Sequence, residues 1–362
     1  MLKELQSTTP VHKSLWHGGF AMLALAALLL AASAYMLLAL IPIGRAGNVD
    51  FVVSQPTAHM WYSLAYAVGL FFFGPLCNWL VQRYRRGIVC VRATELYAAC
   101  IVVSWFVFRG LLPVDFFGLV ALRFITGAFY ALAVMVLLNT LVIDKSESNM
   151  RTKANHIMAW LLRFGMVLGP LVAIVVSRNA AVSDVCVWAL AAAVIAAVLV
   201  RLVHLPFKTP EEDLHHLSAD RFLLPGMWRL FFFTCLCFAC FGYVLSFVSS
   251  VAFYAMMLVG FLWALISERF SSVFVHSDTN LLVAFFFILS AMSVFCSPDG
   301  MLPGYFTPCL LGAGIGMAGA RAQLMFIDNS GHCRRGTAVT TFLLACESGV
   351  AIGLAVGFAI AN

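Results

Sequence analysis

Five ionisable side chains stand out within the long apolar runs of this sequence: Glu95, Arg123, Arg163, Arg321 and Glu347. A charge at the centre of a membrane-spanning helix costs about 2.5–3.5 kcal/mol on insertion scales, so each needs a partner or a task. Glu95 has a partner at hand in Arg92, one turn away on the same helix. Arg321 lies about 9 Å from the end of its run, within reach of snorkelling as well as of a central cavity. Arg123 and Glu347 are deeper, about 10 Å and about 14 Å from the ends of their runs. A carboxyl at such depth is more cheaply held neutral than charged, which suits a carrier of protons. Glu347 is therefore the candidate proton-titrating group, with Arg123 its modulator or a substrate contact. A purely structural ion pair or hydrogen bond is the alternative for Glu347.

Other chemistries lack their residues. No His-Glu-x-x-His and no paired acids at depth point to an enzyme, and no Gly-x-x-x-x-Gly-Lys-Ser/Thr loop points to ATP. Cys237 and Cys240 form a Cys-x-x-Cys, but in apolar sequence with no second pair, where cysteine packs as a small hydrophobe. His215 and His216, beside Glu211, Glu212 and Asp213, read as solvated loop. The expectation is no cofactor, no metal and no nucleic-acid partner.

The elements that must carry these groups are membrane helices. Across 362 residues the chain is 63% hydrophobic and 10% charged, with mean hydropathy +0.97, whereas soluble chains carry about 25% charged residues. Eleven runs reach spanning length, roughly 18–43, 59–81, 88–108, 116–143, 157–177, 185–203, 228–247, 249–267, 281–296, 305–327 and 338–360. They are continuous rather than alternating, which excludes barrel strands. With the amino terminus inside, sixteen Lys and Arg fall at cytoplasmic ends and loops, against only Arg45, Arg109 and Arg178 outside. The net charge of +6 thus follows from topology. The first run is too long for a signal peptide, and the expected location is a bacterial inner membrane.

The chain also repeats. Ile143-Asp144-Lys145-Ser146 returns as Ile327-Asp328-Asn329-Ser330, and Arg151, Ala154, Gly165 and Gly169 return as Arg335, Ala338, Gly349 and Gly353, at an offset of 184. Gly74, Arg83 and Tyr84 return as Gly260, Arg269 and Phe270, at 186. Under the first offset Arg163 and Glu347 are equivalents of opposite charge. Two similar halves in so apolar a chain imply a transporter with its substrate between them. The expected division is a six-helix bundle over 1–203, a cytoplasmic linker over 204–227 and a five-helix bundle over 228–362. The repeat places a counterpart of the sixth span beyond Asn362, so a truncated second half is expected.

These features resemble the major facilitator superfamily over essentially the whole chain. Its pattern after the second span is met by Gly74 and Arg83, with Asn78 in the acidic place. Arg123 and Gly127 meet its Arg-x-x-x-Gly on the fourth span, and Gly165, Gly169 and Pro170 its Gly-x-x-x-Gly-Pro on the fifth. The resemblance implies an all-α polytopic fold of two pseudo-symmetric helical bundles. It also implies alternating access, and a central-cavity place for Arg123. The fifth-span motif is associated there with proton-linked export. Tyr35, Tyr62, Tyr66, Tyr130, Asn139, Arg163, Arg321 and Gln323 are the candidate cavity residues; amid 32 Phe they suit a small amphipathic molecule. Gly74, Gly127, Gly165, Gly169 and Gly260, with Pro170, are the candidate conformational positions, since small residues four apart let backbones approach and Pro softens a helix. The partners expected are the substrate, protons and the lipid bilayer, around a monomer. Proton-coupled uptake and a non-transporting membrane sensor are the alternatives.

Overall fold

The computed structural model describes residues 14–46, 56–205, 215–270, 278–297, 305–331 and 334–360. They form twelve long helices: α1 (Gly18–Ala46), α2 (Pro56–Phe72), α3 (Gly74–Arg83), α4 (Arg86–Phe108), α5 (Phe116–Val136), α6 (Arg151–Asn179), α7 (Val185–Leu202), α8 (Trp228–Leu245), α9 (Val251–Phe270), α10 (Asp278–Phe295), α11 (Phe306–Asp328) and α12 (Arg335–Ile360). Apolar side chains alone cannot satisfy a backbone in lipid, so each run closes its own hydrogen bonds as helix. Nine of the described helices are long and apolar enough to span alone, α10 is a shorter apolar helix, and α2 with α3 makes one span bent by 41°. The expected second span is therefore broken. Pro75 has no N–H to continue the ladder, and α3 starts afresh around it. Only five residues separate α8 from α9, so the tight turn at Phe247–Ser250 is used.

Glycines set the packing. Gly165 and Gly169 on α6 bring their Cα atoms against the carbonyls of Leu28 and Ala32 on α1, where an added Cβ would approach to 2.9 and 2.7 Å. Gly349 and Gly353 on α12 meet the carbonyls of Cys235 and Ala239 on α8 still more closely. The α12 contacts are the α6 contacts moved by 184 residues on one helix and 207 on the other, so the repeat holds in three dimensions. The match of Gly74 to Gly260 does not. Gly260 packs on the backbone of Cys309 and Ala313 in α11, and the same contact in the first half, on Phe124 and Ala128 of α5, is made by Gly69. Gly74 lies past the bend, under the ring of Phe222. The bend puts the two glycines in unrelated surroundings despite their matched sequence.

Helices before residue 203 pack mainly on one another, as do those after 228; across this divide α12 lies along α2 and α9 against α6. The described part of the connecting segment, residues 215–227, is tied to both sides. Arg221 takes a left-handed conformation (φ 59°), donates its N–H to Thr337 and accepts at its carbonyl from Asn139 Nδ2 at 2.9 Å. Leu224 N–H donates to Thr341 at 2.8 Å. Asn139 sits in a single π turn, Leu137–Leu141, which prolongs α5. Asn139, expected as a cavity residue, donates its Nδ2 to this clasp and to Thr340 on α12, and so ties the connecting segment to the bundle. Glu211, Glu212 and Asp213 lie outside the described residues, and His216 packs on Trp79.

Candidate functional site

Glu347 projects from α12 out of its own half and into the other. It is 4% exposed. Its Oε1 accepts from Tyr130 of α5 at 3.0 Å, and its Oε2 from Tyr35 of α1 at 3.1 Å and Tyr66 of α2 at 3.4 Å. Three phenols from three helices thus converge on one carboxyl. Phenol O–H groups are good donors with an apolar body, the pairing a buried carboxylate needs. Each such bond to an ionised group contributes about 1.5–3 kcal/mol. The ring of Tyr130 stacks with Tyr66 at 6.2 Å and lies 5.8 Å from that of Tyr97, whose hydroxyl pairs with Ser33.

Arg123 on α5 is 2% exposed and makes no ion pair with Glu347. Its guanidinium lies over two rings instead, Tyr66 at 4.6 Å and Tyr62 at 5.0 Å. Tyr66 therefore joins the two groups, its ring beneath the cation and its hydroxyl on the carboxyl. A desolvated cation over an aromatic face gains about 2 kcal/mol or more. Gly127 clears the way one turn on, packing on the carbonyl of Tyr66, so α5 and α2 lie close enough for both contacts.

Arg163 is the mirror of Glu347. It leaves α6 for the other half, where it meets Phe238 of α8 and the bare backbone at Gly319 of α11, and it stacks over Trp160 at 4.1 Å. Arg163 and Glu347 do not pair; each is lodged in the half opposite its own.

A further cluster joins the halves near the arginine-rich end. His156 Nε2 pairs with Glu268 Oε1 at 2.6 Å, and Trp160 Nε1 donates to Glu268 Oε2 at 2.9 Å. Gln323 Nε2 donates to the carbonyl of Asn155, which turns its Oε1 toward His156 Nδ1 at 3.2 Å. The helices bound together are α6, α9 and α11. At the other end the ring of His59 on α2 lies 5.5 Å from that of Phe358 on α12. The halves thus touch on both sides of the Glu347 site.

The eight expected cavity residues accordingly divide. Tyr35, Tyr66 and Tyr130 surround Glu347, Tyr62 supports Arg123, and Arg163 stands opposite. Gln323 belongs to the His156 cluster, and Arg321, half-buried, lines a small recess with Glu268, Ser267 and Asn280. Arg92 and Glu95 pair at 2.7 Å on the surface of α4. Asn78 accepts from Gln82 on its own helix, and Arg83 is exposed. The cross-helix pair nearby is Arg86 with Asp144, at 2.6 Å. His156, Trp160 and Glu268 escaped sequence reading. The signal present was His156, Trp160 and Arg163 at i, i+4 and i+7, a single helical face. Glu268 stands beside Arg269 in the last turn of α9.

The model of the Major Facilitator Superfamily matches residues 20–354. The chain belongs to this superfamily of membrane transporters. Its fold is similar to several solved transporters of the superfamily's architecture. A variant of the nucleoside transporter NupG is 12% identical, covering 94% of this chain and 90% of that one at a TM-score of 0.66. A D-xylose–proton symporter is 14% identical, covering 95% and 90% at 0.65. A bacterial homologue of the iron transporter ferroportin, in an outward-facing state, is 17% identical, covering 95% and 93% at 0.62. No match is found among curated proteins. At these identities the likeness is one of superfamily fold.

Proposed function

We propose that this transporter works in a bacterial inner membrane, amino terminus inside, and exports a small amphipathic molecule against inflowing protons. The bundles over 1–203 and 228–362, joined by the 204–227 segment, rock about a site between them. The observation that carries the reading is Glu347: a buried carboxyl at the meeting of the halves, accepting three hydroxyls from the half it does not belong to. While ionised it can accept all three. A proton added to either oxygen turns an acceptor into a donor, so one phenol has to turn from donating to accepting, the bonds lose their charge assistance and the grip on α12 loosens. Proton occupancy and parting of the halves are thereby one event. Arg123 steadies the ionised state through Tyr66, and the Gly165 and Gly169 face with Pro170 lets α6 move as a unit with α1.

Uptake by symport is the second reading, favoured by the likeness to a D-xylose–proton symporter. Everted vesicles under an imposed pH gradient test both. Proton movement is followed on adding amphipathic cations and anions, amino acids and sugars, to wild type and Glu347→Gln. Substrate-triggered movement that vanishes in Glu347→Gln is expected, its sign giving the direction. Movement unchanged in Glu347→Gln removes Glu347 as carrier, and none from folded wild-type protein contradicts proton coupling.

A further inference from the structure

Arg163 is the unanswered half of the central site. It is 3% exposed, and Nε, Nη1 and Nη2 all lack a hydrogen-bond partner in the described structure. A guanidinium carries five N–H donors in a planar fork that matches a carboxylate. The Trp160 ring beneath it, 4.1 Å away, attracts the charge but accepts none of those hydrogen bonds. Glu268 lies within electrostatic reach, yet one of its oxygens is taken by His156 at 2.6 Å and the other by Trp160 at 2.9 Å. The repeat sharpens the contrast. Its equivalent, Glu347, has both oxygens satisfied by protein, whereas Arg163 has no nitrogen so served.

The surroundings describe what is missing. Across from the fork α11 offers bare backbone: a Cβ at Gly319 would lie 2.5 Å from Nη1, so any side chain there would block it. The walls are aromatic, Trp160, Phe164 and Phe261 in mutual ring contact and Phe238 beside Gly319. Buried polar groups find partners, and Arg163, with all three guanidinium nitrogens unpartnered beside an aromatic wall, calls for one.

We propose that Arg163 anchors a single acidic group, a carboxylate or its sulfonate or phosphonate equivalent, on the molecule carried, with an aromatic body lying against Trp160 and Phe261. One fork takes one acid group. A second would face Glu268. This rests on the transporter reading above, because the acid reaches Arg163 only when α6 and α11 part.

The test uses purified full-length protein and three probes of one shape: 2-naphthoate, 2-naphthamide and 2-naphthylmethylamine. Binding is read as Trp fluorescence quenching and as a rise in unfolding temperature. Wild type is expected to prefer the carboxylate by about tenfold, Arg163→Gln to lose that preference and Arg163→Lys to keep part of it. Without ligand, Arg163→Met should unfold at the same temperature as wild type or higher, since it removes a buried donor set that nothing satisfies. Equal binding of carboxylate and amide, no carboxylate binding, a preference that survives Arg163→Gln, or a clear fall in unfolding temperature in Arg163→Met each overturns the proposal. Vesicles in which a neutral or cationic compound drives protons through Glu347 would overturn it too, while leaving the transporter reading in place.

Discussion

Three phenols on one carboxyl make graded predictions at the residue scale. Among the described residues Tyr130 is the sole donor to Glu347 Oε1, at 3.0 Å, while Tyr66 shares Oε2 with Tyr35 at a longer 3.4 Å. Tyr130→Phe should therefore cost about 1–3 kcal/mol of stability, and Tyr66→Phe less, as read by thermal unfolding in detergent. Equal losses would mean that the cage does not hold Glu347 as described. The depth of Glu347 and Arg123 was legible from residue counts alone. Their partners were not, because the bonds to Glu347 cross 312, 281 and 217 residues of sequence. Nothing local to Tyr35 or Tyr130 indicates that both face one acid on a helix from the other half.

Among the elements, α6 and α12 do equivalent work against α1 and α8, and their glycines are the means. Gly353→Val places a side chain into the carbonyl of Ala239 on α8, and Gly165→Val places one into Ala31 and Ala32 on α1. In each case backbone must move, so a loss of about 1–3 kcal/mol or more is expected, with transport falling further than folding. Gly18→Val, with open space around it, is the control and should change unfolding little. If both core variants unfold like wild type, the close approach of these helices is not needed. The repeat was readable here because glycine spacing survives where apolar side chains interchange. It misled at Gly74, where Pro75 breaks the span and passes the packing contact to Gly69. The π turn at Leu137–Leu141, which carries Asn139 and its bond to the Arg221 carbonyl, had no sequence cue.

For the whole molecule, the halves touch on both sides of the central site, and parting them at either end must break a specific set. At the arginine-rich end that set is His156, Trp160, Glu268 and Gln323. With native cysteines replaced, His156→Cys with Glu268→Cys joined by a short bis-methanethiosulfonate, which links the two thiols through disulfides, should stop transport, and reductant should restore it. Continued transport with the link intact would show that α6 and α9 need not part. The two-bundle architecture was legible in composition, charge bias and repeat. This cluster was not, since each member reads as ordinary polarity near a helix end. The central claim is that the proton on Glu347 governs the parting of α12 from the opposite half. Its most direct test is the distance between spin labels at Trp61→Cys on α2 and Val356→Cys on α12, both exposed side chains on helices that meet across the divide. In wild type the distance distribution should change between high and low pH, and with Glu347→Gln it should stay in the low-pH form throughout. A Glu347→Gln protein that still changes with pH as wild type does would contradict the account.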